Sequence, residues 1–301
     1  MDVSVIIVNY NTLELTKNTI DSVIEKTKDL SYEIILVDNA STDGSVEFFE
    51  NEYKNKITFI KNNENLGFGK ANNKGAEVAK GKYIFLLNSD TLLINNAIKI
   101  LFNFMEKYKK IGICGGNLYT QELEPTHSYK EKITSLLTEF NHYLNPFIRI
   151  KKFFYKKRDD FNYTNNNLNI GYIIGADLMI SKRIFLEIGG FDKEIFMYYE
   201  DVELCYRIKK QGLKVYNIPA AKIVHLEGKS FDFKEERYRR QIQGKYKCFY
   251  KCYGIKSLKK LFYISNIGLI LRYLLTFNKK YLVMRNINKE EYKNTLDFYI
   301  V

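Results

Sequence analysis

Four short apolar runs, separated by segments of helical periodicity, set the first constraint on this chain. Val3–Val8 is a continuous apolar run and Ile34–Val37 a second, the pattern of strands buried on both faces, and Ile57–Ile60 and Tyr83–Leu87 read as a third and a fourth strand. Between them, Thr12–Lys26 carries Leu13, Thr16, Ile20, Val23 and Ile24 at helical spacing. Val46, Phe48 and Phe49 mark a second helix, for which Ser41 or Thr42 is a suitable cap, and Ala71–Ala79 reads as a third. This alternation predicts an α/β fold: an open, mostly parallel sheet flanked by helices. A chain of 301 residues, 46% of them apolar, has the material for a large core.

In such sheets ligands bind outside the carboxyl ends of the strands. Three of the four runs end in polar residues there: Asn9-Tyr10-Asn11, Asp38-Asn39 and Asn88-Ser89-Asp90. Asn and Asp are ordinary turn formers, so one such end would mean little; three on one edge favour a binding site. Asp90 can offer a carboxylate to Mg²⁺ or Mn²⁺, with Asn88 or water assisting, because these ions take one or two protein carboxylates plus substrate phosphates. His225 ends a later apolar run near the same edge; a lone His is more often structural, but neutral imidazole also suits Mn²⁺. Glu200-Asp201-Val202-Glu203 opens a helix after Phe196-Met197-Tyr198-Tyr199. Acidity at a helix start is favourable by itself; among aromatic groups it also suits a general base. The stretch from Asn62 to Asn73, with Asn65, Gly67, Gly69 and Asn72, joins a strand to a helix. Its glycines permit close backbone approach and the helix start offers amides to an anion, as would a generic glycine turn.

The alternation breaks over residues 127–166, where Ile133–Leu144 reads as a helix followed by the basic aromatic run from Phe147 to Arg158. Regular pattern returns at Gly171–Gly175 and continues through a helix from Glu200 that ends at Gly212, then strands at Leu213–Ile218 and Ile223–His225. Beyond Phe231 the chain reads as helices rich in Tyr and Lys. The net charge of +12 is unevenly spread: residues 231–301 hold 16 Lys/Arg against 6 Asp/Glu, and residues 127–160 hold 8 against 4, which leaves the rest slightly acidic. Basic segments interleaved with aromatics suit an anionic membrane surface, or a solvated face over tyrosine-rich helices that pair two chains as a homodimer. Leu261–Phe277 is the longest late apolar stretch, but it is short for a membrane span and contains Arg272. The start of the chain lacks the pattern of a secretory leader. Four cysteines, Cys114, Cys205, Cys248 and Cys252, make no disulfide framework in so long a chain. A cytoplasmic setting is expected.

Taken in order, several of these pieces resemble the family 2 inverting glycosyltransferases of the GT-A (Rossmann-like) fold, especially their rhamnosyltransferase-like branch. The matching pieces are Val3–Asn11, Leu36–Ser41, Asn65–Gly69, Leu87–Asp90, Gly175-Ala176-Asp177, and Gly189-Gly190-Phe191-Asp192 running into Phe196–Arg207. The resemblance covers about residues 1–230 and implies a GT-A domain there, with 127–166 as an acceptor- or membrane-facing insertion and 231–301 as a basic helical extension. It implies a nucleotide-sugar donor, dTDP- or UDP-linked, contacted by Asn9, Tyr10, Asp38, Asn65, Gly67, Asn72, Asn88, Ser89 and Glu200. Asp90 would match the last acid of the family's metal motif, His225 would be a further ligand for Mn²⁺ or Mg²⁺, and Asp201 the catalytic base. Asn88 stands where a carboxylate often opens that motif. The implied reaction is inverting transfer of a sugar to a hydroxyl of a lipid-linked or cell-surface glycan, by an enzyme peripheral to the inner face of the membrane.

Other classes fit less of the sequence. A basic nucleic-acid-binding protein would suit the pI of about 9.2, but the acidic residues at the sheet edge oppose that partner. Asp90, Asp201 and His225 argue against a non-catalytic nucleotide-sugar-binding module. A nucleotidyltransferase would carry a Gly- and Lys/Arg-rich loop after the first strand, and Asn9-Tyr10-Asn11-Thr12 is not one.

Overall fold

The computed structural model describes residues 1–144, 158–226 and 234–300. Strands β1 (Val3–Asn9), β2 (Tyr32–Asp38), β3 (Thr58–Lys61) and β4 (Tyr83–Asn88) pair in parallel in the order β3-β2-β1-β4. Helices α1 (Leu13–Lys26), α2 (Ser45–Glu52) and α3 (Phe68–Val78) connect them. The sheet continues past β4 through β10 (Asp177–Ser181), β6 (Ile111–Tyr119), β11 (Lys214–His225) and β5 (Thr91–Leu93), with β8 (Leu168–Asn169) beside β11. β6 and β11 run with the first four strands, whereas β10, β5 and β8 run against their neighbours. The sheet is therefore mixed but mostly parallel.

The runs of β1, β2 and β4 bury both faces, as expected, whereas β3, at the sheet's edge, is exposed at Thr58 and Lys61 and half-buried between them. Val3, Val5 and Ile7 of β1 pack with Ile20 and Val23 of α1 and with Ile98 and Leu101 of α4 (Ala97–Lys107). Ile6 points the other way, into Ala71 and Ala76 of α3 and Leu204 and Ile208 of α7 (Glu200–Lys210). The short helix α6 (Lys182–Glu187) adds Phe185 to that second layer.

Three local expectations are corrected. α2 starts at Ser45, after Gly44 at φ 85°, because Ser41 and Thr42 are engaged elsewhere: the Ser41 hydroxyl accepts from the Asn11 N–H, and the Thr42 N–H donates to Asn11. α3 starts at Phe68, three residues earlier than its apolar spacing suggests. The two late runs at 213–218 and 223–225 form one strand, β11, whose register shifts between Asn217 and Lys222 to accommodate Pro219.

In the insertion, β7 (Tyr129–Lys130) pairs with β9 (Tyr172–Ile173), and α5 (Leu136–Leu144) is shorter than the helix expected from Ile133. Most of the basic aromatic run, residues 145–157, lies outside the described residues. Asp160 is buried and gathers His127, Lys130 and Arg158, with Lys130 Nζ at 2.8 Å and Arg158 Nε at 2.9 Å. Burial opposes the charge on Asp160, but these three groups hold its carboxyl well below the usual range.

α8 (Lys234–Thr276) turns sharply at Gly254 and packs along α9 (Lys280–Ile300). They share a core of Ile242, Tyr246, Phe249, Leu258 and Leu261 with Tyr292 and Leu296. The extension does not stand apart: Cys248 of α8 is buried with Ile195 and Val202 of the sheet domain, and Tyr199 packs on them. All four cysteines are free thiols, Cys252 only half-buried and the others buried.

Candidate active site

β1 and β2 end in register, with Asn9 opposite Asp38. Both side chains are fully buried. Asn9 Nδ2 donates to Asp38 Oδ2 at 2.7 Å and to Ser41 Oγ at 3.0 Å, while Asn9 Oδ1 lies 2.8 Å from each of the Thr12 and Thr16 hydroxyls. The remaining Asp38 oxygen accepts the Ser41 N–H at 2.9 Å. Asn9 thus aligns Asp38, and Tyr10, 45% exposed, is open at this edge together with Asn11.

Two strands along, Asn88, Ser89 and Asp90 follow β4, and β5 carries the chain beside His225, which pairs with Thr91. Asp90 Oδ1 lies 3.3 Å from His225 Nε2, and Asn88 Nδ2 lies 3.5 Å from the same nitrogen. Ser89 Oγ is 3.2 Å from the Thr12 hydroxyl, which ties this corner to the Asn9 edge. Asn88 Oδ1 is buried without a hydrogen-bond partner among the described residues. A carboxylate, an imidazole and an unpartnered amide oxygen are a donor set that fits Mn²⁺ or Mg²⁺. Among the described residues no three His, Cys, Asp or Glu side chains are grouped to hold a metal, so phosphate or water oxygens would complete the shell of any ion held here.

Asp177 joins this corner, a role its sequence context conceals. It is fully buried, one oxygen accepts the Gly116 N–H, and the other has no partner among the described residues. Burial raises its carboxyl to about 7, against the Gly116 N–H and the nearby His225, which lower it. An acid at the head of an apolar strand, Asp177-Leu178-Met179-Ile180, is the signal that marks it.

The segment Gly175–Asp177 links this corner to Asp201. The Gly175 N–H donates to Asp201 Oδ2 at 2.9 Å, the Ala176 carbonyl accepts the Asn88 N–H at 3.0 Å, and Asp177 opens β10 beside them. The other Asp201 oxygen accepts the Val202 N–H at 2.8 Å. Burial raises Asp201 to about 6 despite these two amides. Glu200, 7% exposed and with Oε2 unpartnered among the described residues, is raised to about 8 by burial and by the adjacent Asp201 charge.

The strap before this pair is strained and clamped. Tyr198 and Tyr199 stand at φ 68° and 71°, a left-handed conformation unusual for bulky residues and doubly so in succession. On one side the Phe196 carbonyl accepts the Phe68 N–H at 2.9 Å and lies hard against Gly67, where a Cβ would collide with it. On the other side α8 approaches so closely at Gly244 that a Cβ there would overlap the Met197 and Tyr198 carbonyls. Next to it, Lys245 lies over the Tyr199 ring and forms a buried ion pair with Glu139 of α5 at 2.8 Å. Arg240 stacks over Phe196 at 4.7 Å, Lys247 donates to the Glu194 carbonyl at 2.7 Å, and Lys251 pairs with Asp192 at 3.2 Å.

The Asn65–Asn72 loop meets this strap. Asn65 accepts the Gly67 N–H at 2.9 Å, and Asn72 is buried with its amide on the Phe68 carbonyl. The close approach that Gly67 permits is to Phe196, whose carbonyl accepts the first amide of α3, so the loop braces the strap.

The family model for glycosyl transferase family 2 matches residues 4–188. The chain belongs to that family. The match includes Asn9, Asp38, Asp90 and Asp177 and stops short of Glu200, Asp201 and His225. Among family 2 relatives, an uncharacterised glycosyltransferase of Methanocaldococcus jannaschii is 32% identical over 160 residues, 52% of this chain and 51% of the other. The N-acetylglucosaminyl-diphospho-decaprenol L-rhamnosyltransferase of Mycobacterium tuberculosis is 25% identical over 204 residues, 64% of this chain and 66% of the other. The chain therefore spans about half to two thirds of these relatives' lengths. A crystal structure of GalNAc-T7 with UDP, GalNAc and Mn²⁺ superposes with a TM-score of 0.60 at 20% identity, over 79% of this chain and 48% of that one. The two share the GT-A fold, and the rhamnosyltransferase-like resemblance within family 2 is borne out.

Proposed function

We propose that this family 2 enzyme transfers a sugar, with inversion, from a dTDP- or UDP-sugar to a hydroxyl of a lipid-linked or cell-surface glycan acceptor at the inner face of the membrane. The observation that carries the reading is the Gly175–Asp177 segment, whose Gly175 N–H holds Asp201 and whose Ala176 carbonyl accepts the N–H of Asn88, next to the Asp90–His225 pair. It sets a raised carboxylate beside a corner suited to a diphosphate and its cation. Burial raises both acids of the Glu200–Asp201 pair, and the charge of Asp201 pushes Glu200 up further, so Asp201 is the member that ionises first. Asp201 accepts the proton of the acceptor hydroxyl while that oxygen bonds to the anomeric carbon. The bond from that carbon to the diphosphate breaks on the opposite face. Asp90, His225 and Asn88 would hold Mn²⁺ or Mg²⁺, whose chemistry there is to offset charge on the leaving diphosphate. Asp38, aligned by Asn9, faces the donor's base or ribose beside Tyr10. The lipid-linked acceptor is supported by the mycobacterial relative, named for a decaprenol-linked one.

Calorimetric titration with UDP, dTDP and GDP, each with and without Mn²⁺, tests the donor site. One diphosphate should bind in a metal-dependent way, and Asp90→Ala should abolish that dependence. A folded sample that binds none of the three would overturn the reading.

A further inference from the structure

The later part of α8, residues 255–276, is apolar on two sides. One side carries Leu258, Leu261 and Leu269 into the interior. The other is open: Tyr263, Ile267, Leu271, Leu274 and Leu275 are 63%, 49%, 44%, 55% and 77% exposed. Their steps of four, four, three and one residues confine them to an arc of about 120° on an α-helix. Exposed Lys256 and Lys260 precede them on the same arc. The stripe runs on around the turn through Phe277, 76% exposed, flanked by exposed Lys279 and Lys280, to Val283 of α9. Single exposed apolar residues are ordinary, but a continuous stripe marks a binding surface.

Charge identifies what covers it. Between Glu236 and Glu290 the sequence contains 14 Lys and Arg and no Asp or Glu. A second copy of this chain would set the exposed Lys256, Lys260, Lys279 and Lys280 that border the stripe against their like, which opposes it as the occupant. An apolar stripe bordered by cations complements a bilayer with anionic headgroups. Ser265 and Asn266 are buried on the helix's inner side, where Ser265 accepts from Asn288 of α9 at 2.9 Å. The helix therefore has one face for lipid and lies along the surface; among the described residues no helix is long and apolar enough to cross a membrane.

We propose that residues 256–283, through this stripe and its flanking lysines, are the face by which the chain docks on an anionic lipid bilayer. The proposal deepens the membrane part of the function above by assigning its surface. The part of α8 before its turn at Gly254 holds the catalytic strap through Gly244 and Lys245, so docking of the part after the turn orients the active site relative to the lipid that carries the acceptor.

Flotation of the full chain tests this, using vesicles of phosphatidylcholine alone or mixed equally with phosphatidylglycerol. The chain should float with the mixed vesicles at low salt and stay behind with the neutral ones. Leu271→Glu/Leu275→Glu should weaken flotation about tenfold or more, with unchanged circular dichroism, since both positions are exposed. Lys279→Glu/Lys280→Glu should weaken it and flatten its salt dependence. Parent-like flotation of the leucine variant would overturn the proposal. So would a dimer of the parent, seen by sedimentation, that the leucine substitutions dissolve. Nucleotide binding on the same samples separates the two readings: lost flotation with retained donor binding removes the docking face and leaves the transfer function standing.

Discussion

The Asn9–Asp38 edge and the Glu200–Asp201 corner both present carboxylates at the open end of one sheet, yet they are built in opposite ways. At the first, the acid is closed off by groups from nearby turns: Asn9, Ser41, Thr12 and Thr16 satisfy one another and Asp38. At the second, Asp201 has two amides but Glu200 keeps an unpartnered buried oxygen, and burial raises both acids. The first edge is a fixed socket assembled locally. The second is a strained corner assembled from distant pieces, held by α3 on one side and by α5 and α8 on the other.

The difference teaches where reactivity is placed. A carboxylate fully hydrogen-bonded by fixed neighbours is suited to hold its place beside a ligand, whereas a base has to be buried enough to want a proton. Strain at Tyr198 and Tyr199 persists because the surroundings over-determine it, and here they include the C-terminal extension.

The sharpest way to break the comparison is Asp201→Asn. Turnover should fall by about 10²–10⁴, the usual contribution of a positioned base, while calorimetric binding of the diphosphate stays as in the parent. Near-parent turnover would move the base elsewhere. Lys245→Met comes next. It leaves Glu139 buried without its cation, which costs about 3–5 kcal/mol of stability; urea unfolding should show the loss, and adding Glu139→Leu should restore most of it. If the single variant unfolds like the parent, the ion pair is not what joins α5 to α8. Gly244→Ala then probes position alone. The new methyl presses on the Met197 and Tyr198 carbonyls, and a displacement of order 1 Å at a catalytic group costs about 10² in rate. The fall should appear in kcat with donor affinity unchanged, since Asn9 and Asp38 are untouched; an equal loss of donor binding would mean that the two regions are not independent.

Much of the fold is legible in the sequence for a physical reason. An apolar run that stops at Asn or Asp marks where a strand leaves the core, which is why β1, β2 and β4 and their polar ends can be placed in advance. What those side chains do is less legible. Asn9 has the same look as a ligand contact and as the brace for Asp38 that it is, because both use the same amide. Gly67 correctly signals a close backbone approach but not to what, and the answer, Phe196, lies far along the chain. Lys245 carries no mark among the cations of α8, and its partner Glu139 is 106 positions away. Long-range pairings of this kind also hide Asp177, although an acid at the head of an apolar strand is a signal that can be searched for.

The mildest change sharpens the comparison most finely. Glu200→Gln keeps shape and removes one proton site from the pair. In the parent, kcat/KM should rise with pH through about 6 as Asp201 loses its proton, and change again near 8 as Glu200 ionises. In the Gln variant only the lower transition should remain, with turnover near pH 7 close to that of the parent. The stability consequence has a definite sign. The folded carboxyl of Glu200 is raised from 4.5 to about 8, so the folded state holds a proton that the unfolded state releases. Its contribution is complete below 4.5 and is lost as pH rises to about 8. Gln has no such loss, so the melting temperature of the variant should gain on that of the parent across this window and hold its lead above it. Parallel melting curves at all pH values would mean that Glu200 is ionised in the folded enzyme, and that the corner is as well satisfied as the Asn9–Asp38 edge.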